Sequence, residues 1–162
     1  MGNPIWLLTF LFTTTLAVDF TACSSNPPGV VDISSVSVDP EPISSGEDAT
    51  FTLSGTSWRA VEGGTLVIEP TMLGIDVGSS KLDICSDLGI MCPIAVGDYD
   101  LTYPLAVPNV PIPLPIGGLP LNIKLTATDL DSEELFCINL IVKMTTDSPF
   151  SWFGGRRRTI RA

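Results

Sequence analysis

The sequence predicts an all-β fold, two antiparallel sheets packed as a sandwich of about seven strands, on three observations. Apolar and polar residues alternate with period two in short runs, turn residues separate those runs, and 14 Gly and 14 Pro are spread through 162 residues. Apolar residues make up 44% of the chain, enough for one core, and so much Gly and Pro is not a helical composition.

Val31 to Asp39 is the first candidate strand, with an apolar phase that shifts between Ile33 and Val36 as a β-bulge requires. Ala49 to Gly55 is the second, carrying Phe51 and Leu53 on one face and Thr50, Thr52 and Ser54 on the other. Thr65 to Glu69 is the third, Ser80 to Cys85 the fourth and Tyr99 to Leu105 the fifth. In the sixth, Leu121 to Thr128, the side chains of Leu121, Ile123, Leu125 and Ala127 face one way and those of Asn122, Lys124, Thr126 and Thr128 the other. In the seventh, Leu135 to Met144, a face is shared by Phe136, Ile138, Leu140, Val142 and Met144. Short alternating strands with Pro and Gly turns describe an immunoglobulin-like β-sandwich.

The connections differ in character. Pro40-Glu41-Pro42 through Gly46-Glu47-Asp48 is a proline-rich turn, and Asp129 to Glu134 an acidic hairpin turn. From Pro104 to Pro120, prolines interleave with Leu105, Val107, Val110, Ile112, Leu114 and Ile116. Proline cannot donate to a ladder, so this reads as an extended apolar loop that the core, a ligand or a membrane must cover. Tyr103 and Val107 to Ile116 are the expected mouth of a cavity, with a loop folded over the core as the alternative. Trp58 and Arg59 follow the second strand, where a Trp fits either a rim or simple packing, and packing is expected.

Residues 1–22 read as a signal peptide. Ile5 to Leu16 is almost wholly apolar or Thr and too short to span a bilayer, and the small residues Ala17 and Ala22 each offer a cleavage point. No Lys or Arg precedes the run, which leaves the amino terminus as its positive end. Phe20-Thr21-Ala22-Cys23 loosely resembles a bacterial lipoprotein box, but a lipid on Cys23 would strand one of the remaining cysteines. The sandwich then occupies residues 23–147. Residues 148–162 form a tail in which Phe150, Trp152 and Phe153 precede Arg156, Arg157, Arg158 and Arg161. Such a tail suits an anionic membrane interface, although a disordered or trimmed tail is the simpler expectation.

The cysteines, Cys23, Cys85, Cys92 and Cys137, are even in number and follow an export signal, so they read as a disulfide framework rather than metal ligands. Sequence permits three connectivities, of which the nested one strains nothing. With thiols in bridges and no His in the chain, the usual Ser-His-Asp and Cys-His constellations are excluded and no enzyme is expected. The net charge of −10, with four of the eight basic residues in the last seven positions, repels phosphate backbones and excludes a nucleic-acid partner. Asp98 and Asp100, or Asp129 and Asp131 with Glu133 and Glu134, offer hard oxygens to calcium, but solvated turns explain them equally well. Neither metal nor cofactor is expected.

Several blocks, in this order, resemble the MD-2-related lipid-recognition (ML) domain family. They are I-S-S-V-S-V-D-P-E-P, G-E-D-A-T-F-T-L-S-G, D-I-C-S-D-L-G-I-M-C-P-I-A-V-G-D-Y, P-I-G-G-L-P-L-N-I-K-L and S-E-E-L-F-C-I-N-L. The resemblance covers about Val30 to Met144 and is closest to the phosphatidylglycerol/phosphatidylinositol transfer branch, beside the Niemann-Pick type C2 proteins. It implies disulfides Cys85–Cys92 and Cys23–Cys137, and a sandwich that parts between its sheets to hold a lipid. The sterol carriers' further cysteine pair is absent, and the proline loop is longer and more apolar than the family's.

A sandwich normally closes its inner faces about 10 Å apart, so holding a lipid requires an oily gap where the sheets splay at one edge. Each methylene removed from water contributes roughly 0.8 kcal/mol, and one acyl chain therefore binds without base, nucleophile or metal. The residues expected to contact it are Phe51, Leu53, Leu66, Ile68, Leu101, Tyr103, Val107, Ile112, Leu114, Ile123, Leu125, Phe136, Ile138 and Leu140, although each taken singly fits ordinary core. The function expected is a secreted or lumenal (vacuolar or lysosomal) carrier of a phospholipid or sterol, monomeric and in transient contact with membranes. The rival is an extracellular immunoglobulin-like interaction module that docks a protein partner through the apolar proline-rich loop.

Overall fold

A computed structural model describes residues 17–23, 29–107, 109 and 117–145, and within them the chain forms ten strands and no helix. In order these are β1 (Phe20–Ala22), β2 (Val31–Asp39), β3 (Ile43–Ser44), β4 (Asp48–Ser57), β5 (Gly64–Met72), β6 (Ile75–Asp76), β7 (Ser80–Asp83), β8 (Gly97–Ala106), β9 (Leu119–Asp129) and β10 (Glu134–Thr145). Every strand expected from alternation is present. β2 has its expected bounds, β7 stops at Asp83, and the rest run further than alternation alone marks.

Burial follows the side-chain period. Ala49, Phe51, Leu53, Gly55 and Ser57 of β4 point inward, as do Leu121, Ile123, Leu125 and Ala127 of β9. Pairing of β2 with β4 slips between Ile33 and Ser35, which is the expected bulge and keeps both Ile33 and Val36 in the core. A second slip, between Glu134 and Phe136, turns Leu135 inward beside the expected face of β10.

β2, β4 and β8 form one antiparallel sheet with β4 in the middle. The other is ordered β1-β10-β9-β5-β6, with β3 added to β10 and β7 to β5. All pairs are antiparallel except β3 with β10, where Ile43 lies parallel to Met144. Cys23 is bonded to Cys137 and Cys85 to Cys92.

Three sequence expectations need correction. The strands β1, β3 and β6 are too short to show periodicity, and β1 lies within the expected leader. The proline segment is narrower than Pro104 to Pro120. Pro104 pairs with Thr50 in β8, an edge strand where a missing N–H is tolerated, and Pro120 begins β9 beyond the reach of β5. Trp58 is not packed: β4 turns Ser57 inward, so the next side chain points out and is 67% exposed.

Candidate functional site

The two long edges of the sandwich are closed in different ways. At the β2/β10 edge, Ala17 bridges Ser37 and the Val18 N–H donates to the Val36 carbonyl at 2.8 Å. Phe20–Ala22 then pair with β10, and Cys23 is bonded to Cys137. One stretch of chain thus stitches both sheets. At the opposite edge β8 pairs only with β4, while β6 and β7 pair only with β5, and among the described residues no ladder joins β8 to them. The connection from Ile84 to Val96, closed on itself by Cys85–Cys92, runs from β7 to β8 across the opening. Asp83 holds the start of that connection by accepting the Cys85 and Ser86 N–H groups, and these bonds keep its carboxyl below the usual range.

Three small, largely apolar voids lie between the two sheets, with walls that include β8, β5 and the Ile84–Val96 connection. The first, of about 40 Å³, sits under the connection between Leu66, Leu101, Phe136 and the loop residues Ile84, Leu88, Ile90 and Ile94. The middle one, of about 20 Å³, is walled by Phe51, Leu53, Leu66, Ile68, Leu101, Tyr103, Leu105, Ile123 and Leu125. The third, of about 30 Å³, lies between Leu105 and Val107 on one side and Val77, Gly78 and Ser80 on the other. Neighbouring voids share walls: Leu66 and Leu101 divide the first two, and Phe51, Ile68, Leu105 and Ile123 the last two.

These volumes overturn the expectation of a standing oily gap, since small-molecule pockets usually measure about 300–1,000 Å³. The side chains of the two sheets fill most of the seam. β8, on this side of the seam, has no strand partner on its outer side among the described residues.

Most of the residues expected at the site converge here. Phe51, Leu53, Leu66, Ile68, Leu101, Tyr103, Ile123 and Leu125 meet around the middle void, Phe136 joins the first and Val107 the third. Two do not belong. Leu140 is sealed in the core and lines none of the three voids, and Ile138 faces a separate cleft. Ile112 and Leu114 lie outside the described residues. The contributions of Ile84, Leu88, Ile90 and Ile94 were missed, although apolar residues crowded into a short disulfide loop signal that something must cover them.

The separate cleft, of about 340 Å³, runs along the stitched edge past Phe20, Cys23, Val31, Trp58 and Cys137. Residues 24–28, which join Cys23 to Gly29 on its wall, lie outside the described residues, and no site is assigned there. The acidic turn is occupied internally: Arg59 donates to Asp129 at 2.6 Å and to Glu133 at 2.9 Å, and Asp129 also accepts the Asp131 and Glu133 N–H groups. Among the described residues no group of His, Cys, Asp or Glu is placed to hold a metal ion. Tyr99 lines the first void; its hydroxyl is buried and without a hydrogen-bond partner among the described residues, and burial with the Asp32 charge pushes its pKa up to about 12.

A family model described as the ML domain matches residues 17–144. A phosphatidylglycerol/phosphatidylinositol transfer protein of Mycosarcoma maydis is 28% identical over 120 residues, 70% of this chain and 60% of that protein. One of Eremothecium gossypii is 26% identical over 122 residues, 72% of this chain and 55% of that protein. The chain thus spans only a little over half the length of these two relatives. A putative protein of the same description from Dictyostelium discoideum is 28% identical over 142 residues, 85% of this chain and 97% of that protein. Among solved structures, a Niemann-Pick type C2 protein from the Japanese carpenter ant superposes with a TM-score of 0.60 at 17% identity, over 78% of this chain and 99% of that one. Chicken MD-1, solved in complex with lipid IVa, gives 0.52 at 16% identity, over 76% and 86%. At these identities the two structures share the fold.

Proposed function

This chain belongs to the ML domain family, and on that premise we propose that it is a lipid carrier that takes the apolar part of a phospholipid or sterol between its two sheets. The observation that carries this reading is the seam. Inward apolar side chains from both sheets meet along an edge that no ladder closes among the described residues, while the opposite edge is stitched and cross-linked. A guest that parts the edge exchanges contacts among Phe51, Leu66, Leu101, Tyr103 and Ile123 for contacts with its own methylenes, at roughly 0.8 kcal/mol of transfer energy for each. The headgroup stays at the rim, in water. No base or nucleophile takes part, because the work is extraction and delivery.

Phosphatidylglycerol and phosphatidylinositol are the favoured cargo, following the names that the relatives carry. Paired cysteines fit an oxidising compartment, either outside the cell or in the lumen of the endomembrane system. Organic extraction or native mass spectrometry of protein purified from its own secretory host tests the reading. A stoichiometric lipid and transfer between vesicles are expected. Protein free of lipid and unable to move a labelled phospholipid between vesicles would sink it. Leu101→Asp, placing a charge in the shared wall of two voids, is expected to abolish loading.

A further inference from the structure

The outer face of the three-stranded sheet carries charge of one sign. Alternation turns Thr50, Thr52, Ser54 and Thr56 of the central strand β4 outward, and register sets their neighbours. Ser37 and Thr102 flank Thr52, Ser35 and Asp100 flank Ser54, and Asp32 and Asp98 flank Thr56. Asp39 and Asp48 stand at the end where β2 finishes and β4 begins. All five aspartates are exposed, and β2, β4 and β8 contain no Lys or Arg. The ion pairs among the described residues go to Asp129, Glu133 and Glu69, and to none of these five. By contrast, the larger sheet mixes Lys81, Lys124 and Lys143 with Glu69, Asp76 and Asp83.

The chain supplies a complement to this face. Four of its eight basic residues, Arg156, Arg157, Arg158 and Arg161, lie in residues 146–162, outside the described residues, where the only acid is Asp147. Their tether is rooted at the acidic corner. β10 ends at Thr145, whose carbonyl accepts the Ser45 N–H at 2.8 Å, and Ser45 is three residues from Asp48. Ten residues separate Thr145 from Arg156. A coil of that length ends on average roughly 17–20 Å from its root, and full extension spans roughly 36–40 Å. Asp100, beside Ser54, is six residues along β4 from Asp48, roughly 20 Å at the strand rise. The arginines therefore reach the middle of the face without a taut tether. Tethering also gives them an effective concentration in the millimolar range, ahead of a dilute free partner. The planar guanidinium fork suits the carboxylates, and the flanking hydroxyls accept its remaining N–H groups.

We propose that the arginine-rich tail folds back onto the outer face of the three-stranded sheet, with its guanidinium groups seated on Asp39, Asp48 and Asp100. Exposed ion pairs are individually weak and screened by salt, so the contact is a reversible, salt-sensitive strap. The proposal does not depend on the carrier reading, because none of these three aspartates lines a void. The test is limited trypsin digestion of the full chain, residues 146–162 included, with cleavage at Arg156–Arg158 followed by mass spectrometry. At low salt, Asp39→Asn/Asp48→Asn/Asp100→Asn is expected to be cut about fivefold or more faster than wild type. Glu62→Gln/Glu69→Gln/Asp131→Asn, the same change of charge made elsewhere, should be cut at the wild-type rate. At about 0.5 M salt the three rates should converge. In amide NMR spectra, neutralising the four arginines to Gln should shift Thr50–Thr56 and Asp98–Thr102 and leave β9 and β10 in place.

Equal cutting of wild type and the face variant at low salt would overturn the proposal. Equal acceleration of the control variant would do so as well, since net charge would then suffice. Protection that grows with protein concentration would put the tail of a second copy on the face and end the intramolecular assignment. Amide shifts spread over both sheets, or none on β4 and β8, would remove the face from the contact.

Discussion

Gly55 of β4 lies opposite Ile33 at the bulge of β2, and a Cβ built there would lie 2.5 Å from the Asp32 carbonyl oxygen and 3.1 Å from the Tyr99 hydroxyl. The first contact is backbone and cannot rotate away, so the side chain that fits is a hydrogen. Gly55→Ala is expected to destabilise the fold by about 1–3 kcal/mol, read as a lower urea midpoint with an unchanged slope. The neighbouring Tyr99 makes a separate prediction. Its phenol titrates near 10.0 when unfolded and at about 12 when folded, so between those values the folded chain keeps a proton that the unfolded chain has lost. Stability is therefore fully present below pH 10 and falls as pH rises through the folded value. Denaturant midpoints measured from pH 9 to 11 should decline less steeply in Tyr99→Phe. That variant should cost little at neutral pH, because the hydroxyl it removes has no partner among the described residues. An identical alkaline slope in both proteins would refute the assignment.

At the scale of elements, the two disulfides do unequal work. Cys23–Cys137 spans 114 residues and Cys85–Cys92 spans 7, and the chain-entropy treatment assigns about 5 kcal/mol to the first and about 2.5 kcal/mol to the second. Cys23→Ser/Cys137→Ser should accordingly lower the unfolding free energy by about twice as much as Cys85→Ser/Cys92→Ser, which denaturant titration measures directly. The short bridge should matter more for loading than for folding, because it shapes the connection that roofs the first void. The main strands were legible because their alternation is long enough to register: β2 carried its bulge in the phase shift from Ile33 to Val36, and β9 and β10 each alternate over about ten residues. Leu140 shows where legibility ends. Its periodicity is the same as that of Ile123 and of Met144 on its own strand, and only the packing around it, which alternation does not encode, separates a sealed core residue from one that lines a void. The standing gap failed for a related reason, since inward apolar residues announce burial but not whether the protein itself or a guest fills the space.

Over the whole molecule, the two edges differ: the stretch that begins at Ala17 pairs with both sheets at one edge, while among the described residues no ladder closes the other. Val18 is buried and bonded to β2, Phe20–Ala22 are bonded to β10, and Cys23 is cross-linked beyond them. Of the two leader boundaries open to the sequence, cleavage after Ala22 would discard this stitch, together with roughly 1.5–3 kcal/mol from burying Val18. Cleavage after Ala17 keeps it. The local chemistry agrees, because a small-x-small pattern is met by Thr15 and Ala17, whereas a cut after Ala22 would put Phe20 in the first small position. On the signal-peptide reading the mature chain is expected to begin Val18-Asp19-Phe20, and intact-mass measurement or amino-terminal sequencing of material from a secreting host decides it. A mature chain beginning at Cys23 would keep the Cys23–Cys137 bridge but lose the pairing of Ala17 with Ser37 and of Phe20–Ala22 with β10.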